Sequence, residues 1–199
     1  MGAHVTIAQG GENLVRRIEP GSTSPEGASP LATAQVQAEG LPNLLHELVH
    51  AVQAGRLDDD YGIDYSAIPF DLRTPAGRAV LWEELACCVV SCAYLPTAGS
   101  EGHAEGPGPS VASWFREQLE IQPVFYGMED DPPAFVERVG RLLTRYGDEV
   151  DAVLGRAYAA TEQALLGAGA APSVSAPRIR PSARSLWPLL SPSALKEPA

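Results

Sequence analysis

Residues 80–95 constrain this chain more than any other stretch. Val80, Leu81, Trp82, Leu85, Val89 and Val90 put apolar side chains on most sides of a helix, which predicts a central helix that neighbouring elements must cover. Thr74 is placed to cap it, Pro75 to take its first position, and Pro96 to stop it after Tyr94. Inside this apolar stretch Glu83 and Glu84 stand side by side. A buried carboxylate is costly unless a cation or a set of donors meets it, so the pair demands a partner.

A partner is at hand upstream. Residues 43–54 have a helical apolar face of Leu44, Leu45, Leu48, Val49 and Val52, with Asn43 as a candidate cap and Gly55 as the stop. His46, Glu47 and His50 interrupt that helix as His-Glu-x-x-His. Histidines four apart project from the same helical face, close enough to share one tetrahedral zinc ion. Glu47 then lies beside the metal, where it can take a proton from water and pass it to a leaving amine. The bare motif occurs by chance. Here it sits in an apolar helix with a start and a stop, where three ionisable groups need a metal or partner to satisfy them.

Two histidines need a third ligand. Glu83 and Glu84 lie 33 and 34 residues beyond His50, room for a loop and a return helix, and whichever points inward can take the role. At this level the chain resembles the gluzincins, metallopeptidases that add a glutamate to His-Glu-x-x-His. The run Glu83-Glu84-Leu85-Ala86-Cys87-Cys88-Val89-Val90-Ser91-Cys92-Ala93-Tyr94-Leu95-Pro96 is similar to the corresponding helix of the ImmA/IrrE family of regulatory metallopeptidases. The resemblance covers about residues 41–96. It implies Glu83, three residues before Ala86, as the third ligand, with Glu84 as the alternative. The family usually carries Asn or Asp where this chain has Cys87, which removes a residue that could orient a ligand.

Other features are less pointed. Tyr61, Tyr65, His103 and Tyr126 are candidates to stabilise a developing oxyanion. Cys88 and Cys92 are four apart, but no second Cys or His pair complements them, so they read as small buried hydrophobes. Asp58–Asp60 with Asp64 lack the closing glutamate of a calcium loop and read as a solvated acidic rim.

The rest of the chain sets boundaries. Glycine and proline concentrate near the N-terminus, around 96–109 and after 167. This predicts a loosely structured segment over 1–40, a metallopeptidase-like domain over 41–167 and a Pro/Ser/Ala-rich basic tail over 168–199. Short strands are expected at His4–Ala8, Leu14–Ile18 and Ile121–Tyr126, with further helices at 110–120, from Asp131 to Gly147 and at 148–166. Trp187, Leu189 and Leu190 are the tail's only anchors. The tail carries +3 of a formal net charge of −11, leaving −14 on residues 1–167, a balance that repels phosphate backbones and argues against nucleic acid. Three crowded cysteines are not a disulfide framework and point to a reducing, cytoplasmic compartment. No apolar run reaches the roughly 18 residues a membrane span needs. The expected fold is α+β, mostly helical and zincin-like, with a small sheet at most. The expected function is a zinc-dependent endopeptidase acting on a specific protein or precursor peptide, with Glu47 as base and His46, His50 and Glu83 as ligands. The competing reading is a zincin-like binding or regulatory protein that holds zinc and recognises a peptide without cutting it.

Overall fold

The structure is a computed structural model and describes residues 2–7, 14–17, 32–38, 40–53, 71–95, 110–120, 132–172, 176–177 and 179–190. Strands β1 (Gly2–Ile7), β2 (Leu14–Arg17) and β3 (Ala32–Ala38) precede helices α1 (Leu41–Gln53), α2 (Pro75–Ala93), α3 (Val111–Glu120), α4 (Pro132–Arg145), α5 (Gly147–Gly167) and the single turn α6 (Ala183–Leu186). A 3-10 turn, Trp187–Leu190, follows α6 directly. The protein is therefore mostly helical α+β with one small sheet, and no described helix is long and apolar enough to cross a membrane.

The sheet has the order β1-β3-β2, with β3 parallel to β1 and antiparallel to β2. The first two strands fall where the sequence puts them. The central one does not, because the segment over 1–40 reads as loosely structured and no strand is expected in it beyond the first two. In Ala32-Thr-Ala-Gln-Val-Gln-Ala38 the alternation is there, and Val36 and Ala38 are fully buried. After β3 only two residues intervene before α1, whose first turn is closed by Leu44 N–H donating to Gly40 O at 2.9 Å. The helix thus starts ahead of the expected Asn43 cap, and Pro42 is tolerated because the first turn has no use for its missing donor.

Helix α2 is the hub the sequence predicts. Thr74 caps it, its Oγ1 accepting from Gly77 N–H at 3.1 Å, and Pro75 opens it. Leu85, Ala86, Cys87, Cys88, Val89 and Val90 are fully buried, each large aliphatic contributing about 1.5–3 kcal/mol. Phe115 and Leu119 of α3 and Val150, Val153, Leu154 and Ala157 of α5 belong to the same core. Helices α4 and α5 meet at Tyr146, so Gly147 opens the last long helix rather than ending the one before it. Its missing side chain leaves room for the Arg184 guanidinium, which would lie 1.9 Å from a Cβ there.

One buried cation stitches α2 to α5. Arg78 donates to both carboxylate oxygens of Glu149 (2.9 and 2.7 Å) and to the carbonyls of Leu72 and Arg73, and lies 3.7 Å over the Tyr146 ring. Trp82 Nε1 donates to the same Glu149 at 3.1 Å. The C-terminal segment docks as well. Ala183, Leu186, Trp187 and Leu190 are buried, with Trp187 against Phe115 and Phe135 and its Nε1 donating to Val136 O at 2.8 Å.

Candidate metal centre

Helices α1 and α2 pack against each other and bring the chemistry together. Spacing of four puts His46 and His50 on one face of α1, and that face meets α2 at Glu84. The distances are 3.0 Å from His46 Nε2 to His50 Nε2, 3.2 Å from His50 Nε2 to Glu84 Oε2 and 3.3 Å from His46 Nε2 to Glu84 Oε2. His46 is fully buried, Glu84 nearly so, and the His50 side chain is 25% exposed.

Glu83 is not in this cluster. Its side chain faces solvent, and the expectation that it is the third ligand is corrected accordingly. One residue along a helix is a rotation of about 100°, so only one of two adjacent glutamates can face α1, and that one is Glu84. His46, His50 and Glu47 are where the motif leads one to expect them, with Glu47 95% buried on α1. The candidate oxyanion residues Tyr61, Tyr65, His103 and Tyr126, the acidic run at Asp58–Asp60 with Asp64, and the expected strand at 121–126 lie outside the described residues.

Cys87, which the His-Glu-x-x-His motif does not mark, lies against the two histidines. It lies one helical turn beyond Glu84, is fully buried, and its sulfur and the ligand atoms of His46 and His50 all fall within 4.8 Å of one another. The signal was available as spacing: Glu84 and Cys87 are three apart and share a face. Cys88 and Cys92 are buried, as expected of small hydrophobes. Cys88 Sγ lies 3.9 Å from His46 Nδ1, the ring nitrogen facing away from the cluster, and donates to Gln118 O at 3.6 Å. It backs the His46 ring from behind.

The electrostatics are those of a site built around positive charge. Burial disfavours a charged His50, but Cys87 and Glu84 outweigh it and raise its pKa well above 6.5. Burial likewise works against the Glu84 carboxylate, and the charge of His50 with hydrogen bonds from both imidazoles overcomes it and holds that carboxyl below the usual range. A proton on His50 Nε2 can point fully at only one of two acceptors, His46 Nε2 or Glu84 Oε2. One cation at the centre meets all three.

The donor set fits zinc. Zn–N and Zn–O bonds of about 2.0–2.1 Å at tetrahedral angles separate neighbouring ligand atoms by about 3.3 Å, against the observed 3.0–3.3 Å. Two imidazoles and a carboxylate are also a donor type zinc takes. Comparison of the chain with family models, curated proteins and solved structures finds no match. The functional reading therefore rests on these residues and their geometry.

Proposed function

We propose that this chain is a zinc-dependent peptidase of the zincin type that hydrolyses peptide bonds in a protein or peptide partner. The observation that carries the reading is the triangle of His46 Nε2, His50 Nε2 and Glu84 Oε2, with edges of 3.0–3.3 Å, beside a buried Glu47. His46, His50 and Glu84 would hold the metal. When bound, zinc supplies a Lewis acid that lowers the pKa of water and polarises a carbonyl. Glu47 serves as general base, its carboxylate taking a proton from the attacking water and handing it to the departing amine. Helix α2 keeps Glu84 in place through its buried flanks, and Cys88 steadies the His46 ring from its Nδ1 side. Three buried cysteines that form no disulfide with one another support a reducing, cytoplasmic setting.

A second reading is favoured by Cys87, whose sulfur stands among the donor atoms. With four protein ligands the site would hold zinc and recognise a peptide without turnover. One experiment separates the two. Protein purified without a metal-binding tag is assayed for zinc, then for hydrolysis of an unfolded protein substrate, alongside Glu47→Gln. The peptidase reading expects about one zinc per chain in both forms and a rate about 10²–10⁴-fold lower in the variant. Zinc in both forms with no hydrolysis in either selects the binding protein, and absence of zinc overturns both.

A further inference from the structure

We propose that Cys87 is a fourth protein ligand, so that the zinc centre rests closed as a His46–His50–Glu84–Cys87 site. The proposal rests on the metal-site reading above and concerns how that site is regulated. Its basis is symmetry of supply. Helix α1 offers two donors four apart and α2 offers two donors three apart, and the two pairs face each other across the helix contact. Cys87 Sγ and the ligand atoms of His46 and His50 lie within 4.8 Å of one another. Zn–S and Zn–N bonds of about 2.3 and 2.0–2.1 Å call for S–N separations of about 3.6 Å, which a movement of about 1 Å achieves. A buried side chain turning about χ1 travels that far without displacing the helix.

The three cysteines are not equivalent in this respect. Cys92 Sγ donates to Cys88 O and Cys88 Sγ to Gln118 O, so both sulfurs are directed at backbone carbonyls. Cys88 meets His46 only at Nδ1, the wrong side of the ring for a shared metal. Of the three, Cys87 is the one whose sulfur falls within 4.8 Å of ligand atoms of both His46 and His50. A thiolate there has two consequences. It softens the donor set, favouring zinc over magnesium, calcium or manganese. It also completes four-coordination, and a site with four protein ligands has no position for water. Peptide hydrolysis by Glu47 would then require the Cys87 sulfur to leave, which makes Cys87 the gate of the centre.

X-ray absorption at the zinc edge on the full chain carrying one zinc tests this directly. The expected result is one sulfur scatterer at about 2.3 Å with nitrogen and oxygen at about 2.0–2.1 Å, the sulfur lost in Cys87→Ser and kept in Cys88→Ser. Cobalt(II)-loaded protein gives a second readout, a thiolate-to-cobalt charge-transfer band present in the wild type and absent in Cys87→Ser. Should Cys87→Ser fold poorly, the wild-type spectra decide whether sulfur is bound, and its retention in both Cys88→Ser and Cys92→Ser assigns it to Cys87. Stoichiometric zinc surrounded only by nitrogen and oxygen overturns the Cys87 proposal and leaves the three-ligand peptidase site standing. A sulfur scatterer that survives Cys87→Ser overturns the assignment to this residue. A chain that binds no zinc overturns the metal reading itself.

Discussion

Adjacent glutamates provide the sharpest test of the centre, because the same substitution at neighbouring positions should have opposite outcomes. Glu84→Gln keeps the side chain's size and shape while removing the charge that sits 3.2 and 3.3 Å from the two imidazoles. Structural zinc sites bind with about 10–16 kcal/mol shared among four ligands. One ligand's share is therefore about 2.5–4 kcal/mol, which weakens zinc binding by about 10²–10³-fold. Glu83→Gln changes a solvent-facing residue on the same helix and should leave the affinity within about twofold. The assay is competition for zinc with a chromophoric chelator at neutral pH, with far-UV circular dichroism of the metal-free protein as the folding control. The fold should survive Glu84→Gln. Glutamine at 84 keeps a carbonyl oxygen that can accept from an imidazole N–H, so the buried rings are not left without an acceptor. Weaker zinc binding in Glu83→Gln, or unchanged binding in a folded Glu84→Gln, would refute the geometry from which the site was argued.

Three further outcomes probe the scaffold. Trp187→Ala removes a buried indole, its packing on Phe115 and Phe135 and its hydrogen bond to Val136 O, and should cost about 3–5 kcal/mol in urea denaturation; a loss under about 1 kcal/mol would mean that the C-terminal segment does not dock. Gly77→Ala improves helix propensity by about 1 kcal/mol, yet its Cβ would stand 2.3 Å from Asp71 O, a backbone atom that cannot swing away, so Tm should fall, and a rise would contradict the tight turn into α2. Glu149 has its pKa lowered to about 2 from about 4.5, first by the hydrogen bond from Arg78 and then by that from Trp82. A depressed acid stabilises fully above its unfolded pKa and loses that contribution as pH falls toward the folded value. Tm in the wild type should therefore drop between about pH 4.5 and 2 more steeply than in Glu149→Gln, and parallel curves would exclude the linkage.

The helices were legible because their signals are local. Thr74-Pro75 specifies the start of α2, and the apolar period of Leu44, Leu45, Leu48, Val49 and Val52 specifies α1. What escaped was structure carried by small residues or written against composition. Strand β3 alternates Ala32, Ala34, Val36 and Ala38 with polar residues, a face of such low hydrophobicity that the surrounding Gly, Ser and Pro outvote it. The C-terminal segment reads as a Pro/Ser/Arg tail, yet Leu186, Trp187 and Leu190 suffice to bury it, since an indole alone removes about 150–250 Å² from water.

The choice between Glu83 and Glu84 failed for a deeper reason. Orienting a residue on a helix needs a phase, and the phase comes from contrast between an apolar and a polar face. Helix α1 has that contrast. Helix α2 is covered almost all round, and its solvent stripe consists of Pro75, Ala76, Ala79 and Glu83, of which the two alanines are as common in cores as on surfaces. Where the flanking stripe is alanine, nothing in the pattern says which of two adjacent carboxylates shares it. The property that makes α2 a good hub, burial on nearly every side, is the one that hides the direction of its functional face. Cys87 shares the face of Glu84 one turn on, with its sulfur within 4.8 Å of ligand atoms of two imidazoles. Sequence motifs mark the polar half of such a centre, and only the packing of α1 on α2 supplies the other half.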